Sequence, residues 1–582
     1  MLTKLIIRNF KRFDNVEIEL GNPVVFIGPN NSGKTAALQA LALWELGVKR
    51  WMEKRKAGSV AKERKGVTLN RRDLIALPVP NARLLWRALH VRDVRPDASG
   101  KQHTENVRIE ITLEGGVTEA NKWRCGFEFY YANEEFFYCR PLSEDPKSGL
   151  RTEIPDRAKT VRIALLPPMS GLAANELRLD DGAINVRIGE GRTAEVLRNL
   201  CYRISENAKD AWGKLVNHLE SLFGCKLAPP RYNAERGEVE MSYTEGGVAL
   251  DLSSSGRGLQ QTLLLLAYMY ANPGSVLLLD EPDAHLEILR QRQTYQLLTD
   301  VARENDNQII AASHSEVLLN EAASKDTVVA FVGQPHVMLA ARKDEVLKSL
   351  KEIGYEQYYL AEQRGWVLYL EGETDLDILR AFAKRLDHQE ALKALERPFV
   401  HYTTDVTGGV NKHFYPLREA FPELTAVALF DRHLKSPADE EGLVWLMWEQ
   451  CEIESYLCYR EVLMGYAEST ARKKEPGTVF EAAEVERRRQ AMQAEIRRLE
   501  EAAKAKREGS PWDGKMKVSD EFLTPLFENY YERLGLYNDM PRRSFYELVA
   551  FLPVEKIDPE VKEKLDAIVS VAEQARPLSE DE

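Results

Sequence analysis

The chain has 582 residues, 44% hydrophobic and 29% charged, a length that suggests about three or four domains. The composition is ordinary for a soluble globular protein, and no run approaches the ~20 apolar residues of a membrane helix. A formal net charge of −12 argues against a uniform coat for phosphate backbones but leaves room for a local basic groove. Met1 to Phe10 alternates and has no signal-peptide core, so the expectation is a cytoplasmic chain without a membrane. The six cysteines are scattered, with no CxxC pair. They read as buried free thiols in a reducing compartment rather than as a zinc or redox motif.

Leu2 to Phe13 and the alternating Val16, Ile18 and Leu20 predict a hairpin. It feeds an apolar strand, Val24 to Ile27, and then Gly28-Pro29-Asn30-Asn31-Ser32-Gly33-Lys34-Thr35, a full match to G-x-x-x-x-G-K-[ST]. Leu38, Leu41 and Leu46 lie on roughly one face of the helix that follows. In this context Gly28, Asn30, Asn31, Ser32 and Gly33 turn backbone N–H groups toward phosphate oxygens, aided by the helix N-terminus. Lys34 would reach the β- and γ-phosphates, and Thr35 would ligand Mg²⁺.

Lys49 to Arg72 is rich in Lys and Arg, with clusters at Lys54-Arg55-Lys56 and Arg71-Arg72. It reads either as a nucleic-acid-facing patch or as a solvated insertion. Strand patterns recur at Val107–Leu113 and Cys125–Tyr131, and long helical periodicity runs from Glu195 to Phe223. A Ser/Gly turn, Leu252-Ser253-Ser254-Ser255-Gly256-Arg257-Gly258, precedes an apolar helix. Ser275 to Asp280 is a buried strand ending in Asp280-Glu281, and Ile309 to Ala312 is another, ending near His314. Acids at the carboxyl end of such a strand lie where ligands bind in open α/β sheets. Asp280 would hold Mg²⁺, Glu281 would orient and deprotonate water, and His314 would contact the γ-phosphate.

About 245 residues separate Thr35 from Asp280, which implies insertions between the motifs. Phosphate loop, Ser/Gly turn, Leu277-Leu278-Leu279-Asp280-Glu281-Pro282 and a strand ending near His resemble the ABC-type ATPases of the SMC, Rad50 and RecF group. The resemblance implies that the turn of one subunit completes the ATP site of another. Ser254 and Gly256 would then face the nucleotide, and Asp283 and His285 would lie near a dimer interface. The turn departs from the usual LSGGQ.

After a junction at Gln363–Gly365, new strands at 366–370, 399–402 and 426–430 alternate with helical patterns, as in a small parallel α/β domain. Glu371 and Asp375 follow the first strand, Asp431 follows the third, and Glu452 and Glu454 form a third acidic group. Carboxylates gathered at one sheet edge repel unless cations bind, and hard oxygen ligands select Mg²⁺ or Mn²⁺. Acids at a helix start are also explained by the helix dipole alone. Glu481 to Glu508 reads as one long amphipathic helix, ended by Gly509-Ser510-Pro511.

Strand-Glu-Gly-x-x-Asp followed by a strand ending in an acid resembles a Toprim domain. An ABC-type ATPase followed by Toprim is similar to the OLD (overcoming lysogenization defect) family, including the Gabija-type anti-phage ATPase-nucleases. That resemblance implies Glu371 as the acid nearest a scissile phosphate, and Asp375, Asp431, Glu452 and Glu454 as metal ligands with it. It further implies a lysine after the acids, Lys517 or alternatively Lys515. The usual DxD stands here as Asp431-Arg432-His433. The expected organisation is an ATPase domain over 1–345, with inserted arms near 47–105 and 172–235. A Toprim-like domain over 365–460 and a helical region over 461–582 complete it. Three functions follow from these readings: an ATP-binding, metal-dependent nuclease in anti-phage defence; an ATPase sensor or scaffold with a weakened Toprim-like domain that works through a separate effector or a phage-derived trigger; and a repair ATPase that binds DNA. A homodimer or higher oligomer and nucleic acid are the implied partners.

Overall fold

A computed structural model describes residues 1–56, 66–75, 77, 79–96, 102–116, 118, 121–143, 152–323, 325–332, 334–338, 353–432, 440–474, 481–506 and 509–577. The chain forms two compact units, Met1–Ala341 and Arg342–Ser579.

The first unit contains two six-stranded sheets. In the parallel sheet the strand order is Ile163–Leu166, Val276–Asp280, Gln308–Ser313, Val24–Ile27 and Thr327–Ala330, with His336–Val337 antiparallel at one edge. Val24–Ile27, Val276–Asp280 and Gln308–Ser313 are buried at every position, as expected for strands covered on both faces. The antiparallel sheet runs Phe13–Glu19, Leu2–Phe10, Arg108–Gly115, Trp123–Tyr131, Phe136–Pro141, Val67–Asn70. Helix Lys34–Lys56 shares one core with both sheets. Ala37, Leu38, Ala40, Leu41, Leu43 and Trp44 are all fully buried, too many neighbours for a one-faced helix and the mark of an element covered all round.

Two expectations about insertions change. The stretch 47–105 is not an arm throughout, because its Val67–Asn70 strand pairs with Phe136–Pro141 and closes the antiparallel sheet. Its basic side chains are also engaged: Arg50 pairs with Asp73 at 2.9 Å, Arg71 with Glu135 at 2.9 Å and Lys49 with Glu45 at 2.9 Å. The side chains of the Lys54-Arg55-Lys56 cluster after Lys54 lie outside the described residues. The long periodic run from Glu195 is two helices, Leu197–Asn207 and Lys209–Phe223, broken at Ala208, whose ψ of 67° is not helical. Both pack on helix Arg257–Ala271.

The second unit is built on a four-stranded parallel sheet ordered Phe399–Tyr402, Trp366–Leu370, Thr425–Phe430, Leu443–Met447. The reading of 365–460 and 461–582 as separate regions meets a continuous packing here. Leu368 and Val427 of the sheet share one core with Met492 and Ile496 of helix Glu481–Lys506, Phe527 of helix Thr524–Leu534 and Leu565 of helix Pro559–Gln574. The long helix cannot cover its apolar stripe alone, so it packs on helices Arg460–Lys474 and Thr524–Leu534.

Candidate functional site

In the first unit, Val24–Ile27 and Val276–Asp280 end on the same side of the parallel sheet, because both run parallel to Gln308–Ser313 between them. The phosphate loop and the Asp280-Glu281 pair therefore meet. The Thr35 hydroxyl donates to Asp280 Oδ2 at 2.9 Å. The Lys34 ammonium, only 7% exposed, donates to the Gly28 and Pro29 carbonyls at 2.7 and 2.8 Å. Asn31 and Gly33 take positive φ of 65° and 106°. A Cβ on Gly33 would stand 2.7 Å from Arg12 and 2.8 Å from Phe13, so only glycine fits this turn. The buried Ser32 hydroxyl has no partner among the described residues, leaving a donor inside the loop for an anion. Asn30, at the loop tip, is exposed.

Burial pushes the Asp280 carboxyl up to about 6; the Thr35 hydrogen bond opposes this, Glu281 adds to it and Lys34 opposes it. Burial also lowers the Lys34 ammonium, against the pull of Asp280, Glu281 and Asp283. A cation and an acid that both lean toward neutrality suit a site completed by a charged ligand. Glu281 sits at φ 50°, a left-handed position for a non-glycine residue, while its N–H stays bonded to Ala312 O at 2.8 Å. Strain of this kind collects at functional sites. His314 Nδ1 lies 3.7 Å from Glu281 Oε1, and both side chains remain partly exposed.

Asp283, which the resemblance puts near a dimer interface, lies in the turn after Glu281. It is 6% exposed and accepts the Ser313 hydroxyl at 2.7 Å, tying the turn after Glu281 to the next strand. His285 is exposed, at φ 65°. The Ser/Gly turn is a short 3₁₀ segment, Leu252–Ser254, with Ser254 and Gly256 exposed and Gly256 at the N-cap of helix Arg257–Ala271. On that helix the Gln261 amide donates to Pro282 O at 3.2 Å, joining the turn's helix to the chain just past Glu281. Sequence reasoning missed Gln261 and Arg12, since neither lies within a motif and each is brought to the loop or strand by the fold.

In the second unit, Trp366–Leu370 and Thr425–Phe430 are adjacent and parallel, so Glu371 and Asp431 emerge side by side. The Asp431 N–H donates to Glu371 Oε1 at 3.1 Å. Asp375 accepts the Gly372 N–H at 3.1 Å from the first turn of helix Glu373–Arg385. Glu452 and Glu454 are 1% and 3% exposed. Glu452 accepts both the N–H and, at 2.8 Å, the hydroxyl of Ser519. Lys517 is half-exposed and paired with Asp520 at 3.1 Å, and its charge also acts on Glu452. Lys515 is exposed, and its N–H donates to Asp513. His433 lies outside the described residues.

The five acids share one field. Burial, then the charges of Glu371, Asp375, Glu454 and Glu452, push Asp431 up to about 8. Burial, then Glu452 and Asp375, raise Glu454 to about 8. The all-oxygen donor set is the type that Mg²⁺ and Mn²⁺ take. Among the described residues, however, no group of three or more His, Cys, Asp or Glu is arranged to hold a metal ion. Three of the five carboxylates rest on local donors: Glu371 on the Asp431 N–H, Asp375 on the Gly372 N–H and Glu452 on Ser519.

Residues 1–49 match the family "AAA ATPase domain". Residues 48–320 match "AAA domain, putative AbiEii toxin, Type IV TA system". A curated OLD nuclease of Thermus scotoductus is 23% identical over 328 residues, 54% of this chain and 59% of that protein. The chain is therefore similar to an OLD nuclease, of whose length it spans less than two thirds, and its residues 1–320 match ATPase-domain families. Two solved SMC heads also align with it. The Thermotoga maritima SMC head domain is 17% identical over 58% of this chain and 98% of that one, at a TM-score of 0.30. A Pyrococcus furiosus SMC head with an extended coiled coil, bound to the C-terminal domain of ScpA, is 15% identical over 60% and 99%, at 0.33. Scores of this size add nothing to the topology described above. No helix among the described residues is long and apolar enough to cross a membrane.

The raised acids of the second unit predict a pH dependence of stability. Asp431 and Glu454 have folded-state values of about 8, above their unfolded ones. Their contribution to stability is therefore complete below the ordinary carboxylate range and is lost as pH rises through about 8. In EDTA, the melting temperature is expected to fall between pH 6 and pH 9, and to fall less in Asp431→Asn. A wild-type melting temperature that rises over this window, or an equal fall in Asp431→Asn, contradicts the assignment.

Proposed function

We propose that this chain binds and hydrolyses ATP and that its second unit is a Toprim-like, divalent-metal-dependent nuclease, acting in anti-phage defence. The observation that carries the reading is the electrostatic convergence of Glu371, Asp375, Asp431, Glu452 and Glu454 at the carboxyl edge of a parallel sheet. Carboxylates that raise one another in this way fit a site for cations and the phosphates they carry. Mg²⁺ or Mn²⁺ at these acids would activate water and stabilise a leaving oxygen. Ser519 fixes Glu452, the Asp431 N–H fixes Glu371, and Lys517 would supply a positive charge beside the acids. In the first unit, Thr35 and Asp280 would hold Mg²⁺ with the nucleotide, Lys34 would bind phosphate, and Glu281 would take the proton of the attacking water, with His314 beside it. A homodimer or higher oligomer would bring Ser254 and Gly256 of one copy to the nucleotide of another. Calorimetric titration of Mn²⁺ into the metal-free protein tests the acidic site. Heat of binding in the wild type that is lost in Asp431→Asn supports it, and no binding in the wild type overturns it.

For the ATP site, Glu281→Gln is expected to bind ATP normally and to turn it over about 10²–10⁴-fold more slowly, because the amide keeps the shape and loses the base. Native turnover in this variant removes Glu281 from that role.

A second reading, an ATPase sensor or scaffold with a weakened nuclease domain and a separate effector or phage-derived trigger, draws on one observation. The acids are not arranged as a metal cage among the described residues, and Glu452 is already taken by Ser519.

A further inference from the structure

The Ser/Gly turn is exposed, yet it is gripped from beneath. Asp251 caps it: its Oδ1 accepts the Ser253 N–H at 2.8 Å, at the start of the Leu252–Ser254 segment. The same oxygen accepts Arg198 Nη2 at 3.1 Å. Arg198 is 1% exposed, whereas the Asp251 side chain is half-exposed. The guanidinium's other arm, Nη1, donates to Ala173 O at 3.0 Å. The Arg198 N–H and the neighbouring Asn199 N–H both donate to buried Glu176, the former at 2.9 Å. Glu176 is in turn locked to the Glu238–Glu240 strand through Val239 N–H to its own carbonyl at 2.8 Å. Arg198 thus belongs to helix Leu197–Asn207, in the segment that separates the phosphate loop from the Ser/Gly turn, and its fork is fixed at both ends.

A planar fork held by a backbone carbonyl and a carboxylate sets the carboxylate's position as well as its charge. The second brace on the turn comes from its own helix, where the Gln260 amide donates to Ser255 O at 3.0 Å. Gln260 fixes the end of the turn, and Arg198, through Asp251, fixes its beginning, next to Ser253 and Ser254.

We propose that Arg198 is a positioning residue for ATP hydrolysis, which sets the Ser/Gly turn through Asp251 and makes helix Leu197–Asn207 the support of that turn. The proposal rests on the reading that the turn acts on the nucleotide of a second copy. Nucleotide binding at the phosphate loop uses neither residue, so loss of the brace acts on turnover. Misplacing a group remote from the chemistry by about 1 Å costs up to a hundredfold in rate.

The test measures ATP affinity, kcat, KM and melting temperature of the full-length chain for wild type, Arg198→Lys, Asp251→Asn and Ser254→Arg. Asp251→Asn keeps an acceptor for the Ser253 N–H and lies at a half-exposed position, so it folds even where a buried Arg198 variant does not. Lys at 198 keeps the charge and loses the fork. The expected result is kcat lowered by about tenfold to a hundredfold in both, with ATP affinity unchanged. Native kcat in both, while Ser254→Arg is inactive, overturns the positioning role and leaves the reading of the turn standing. Native kcat in Ser254→Arg overturns that reading and the proposal with it. Parallel losses of kcat, ATP affinity and melting temperature reduce Arg198 to a structural part and also overturn the proposal.

Discussion

Replacing Glu371 with glutamine is expected to abolish phosphodiester cleavage, by about 10²–10⁴-fold or more, while ATP binding and hydrolysis stay at the wild-type level. The amide can still accept the Asp431 N–H that Glu371 Oε1 accepts at 3.1 Å, so the sheet edge keeps its local bond and loses one charge. That charge is the largest influence on Asp431 after burial itself. Its removal therefore lowers the Asp431 carboxyl as well as deleting the acid proposed to lie nearest the scissile phosphate. Glu371→Ala gives the same loss and also removes the acceptor. The proposed ATP site draws only on residues of the other compact unit, which is why hydrolysis is the internal control. Cleavage that survives Glu371→Gln assigns the activity to another site or another protein.

Lys34→Ala is expected to abolish nucleotide binding. The ammonium is buried, desolvated and held at the mouth of the phosphate loop by Gly28 O and Pro29 O. Hydrogen bonds to charged groups contribute about 1.5–3 kcal/mol each, so losing two or more to phosphate costs on the order of a hundredfold or more in affinity. Equilibrium binding of a fluorescent ATP analogue reads this directly. ATP affinity and turnover at the wild-type level in Lys34→Ala contradict the phosphate-loop assignment.

The candidate ATP site was legible because its parts lie in short stretches with fixed spacing. Gly33, Lys34 and Thr35 must follow a buried strand within a few residues, and Asp280 and Glu281 must end one. Periodicity also located Val24–Ile27, Val276–Asp280 and Gln308–Ser313, since strands covered on both faces are apolar at consecutive positions. Long-range partners left no such mark. Ser519, 67 residues from Glu452, is an ordinary serine until helix packing brings it to that carboxylate. Arg198 and Asp251, 53 residues apart, are likewise ordinary surface-type residues in sequence. The merging of the sheet and the C-terminal helices around one core depends on which apolar faces meet, and each face alone is compatible with several partners. The short Val67–Asn70 strand was hidden in a basic stretch because only Val67 and Leu69 point inward.

The reading of the second unit as a metal-dependent nuclease is tested most directly by incubating the purified wild-type chain with DNA and with RNA, in EDTA, in Mg²⁺ and in Mn²⁺, with ATP hydrolysis measured alongside. Cleavage of at least one substrate with Mg²⁺ or Mn²⁺, and none in EDTA, is the predicted result. A chain that hydrolyses ATP yet leaves every substrate intact under all three conditions contradicts it.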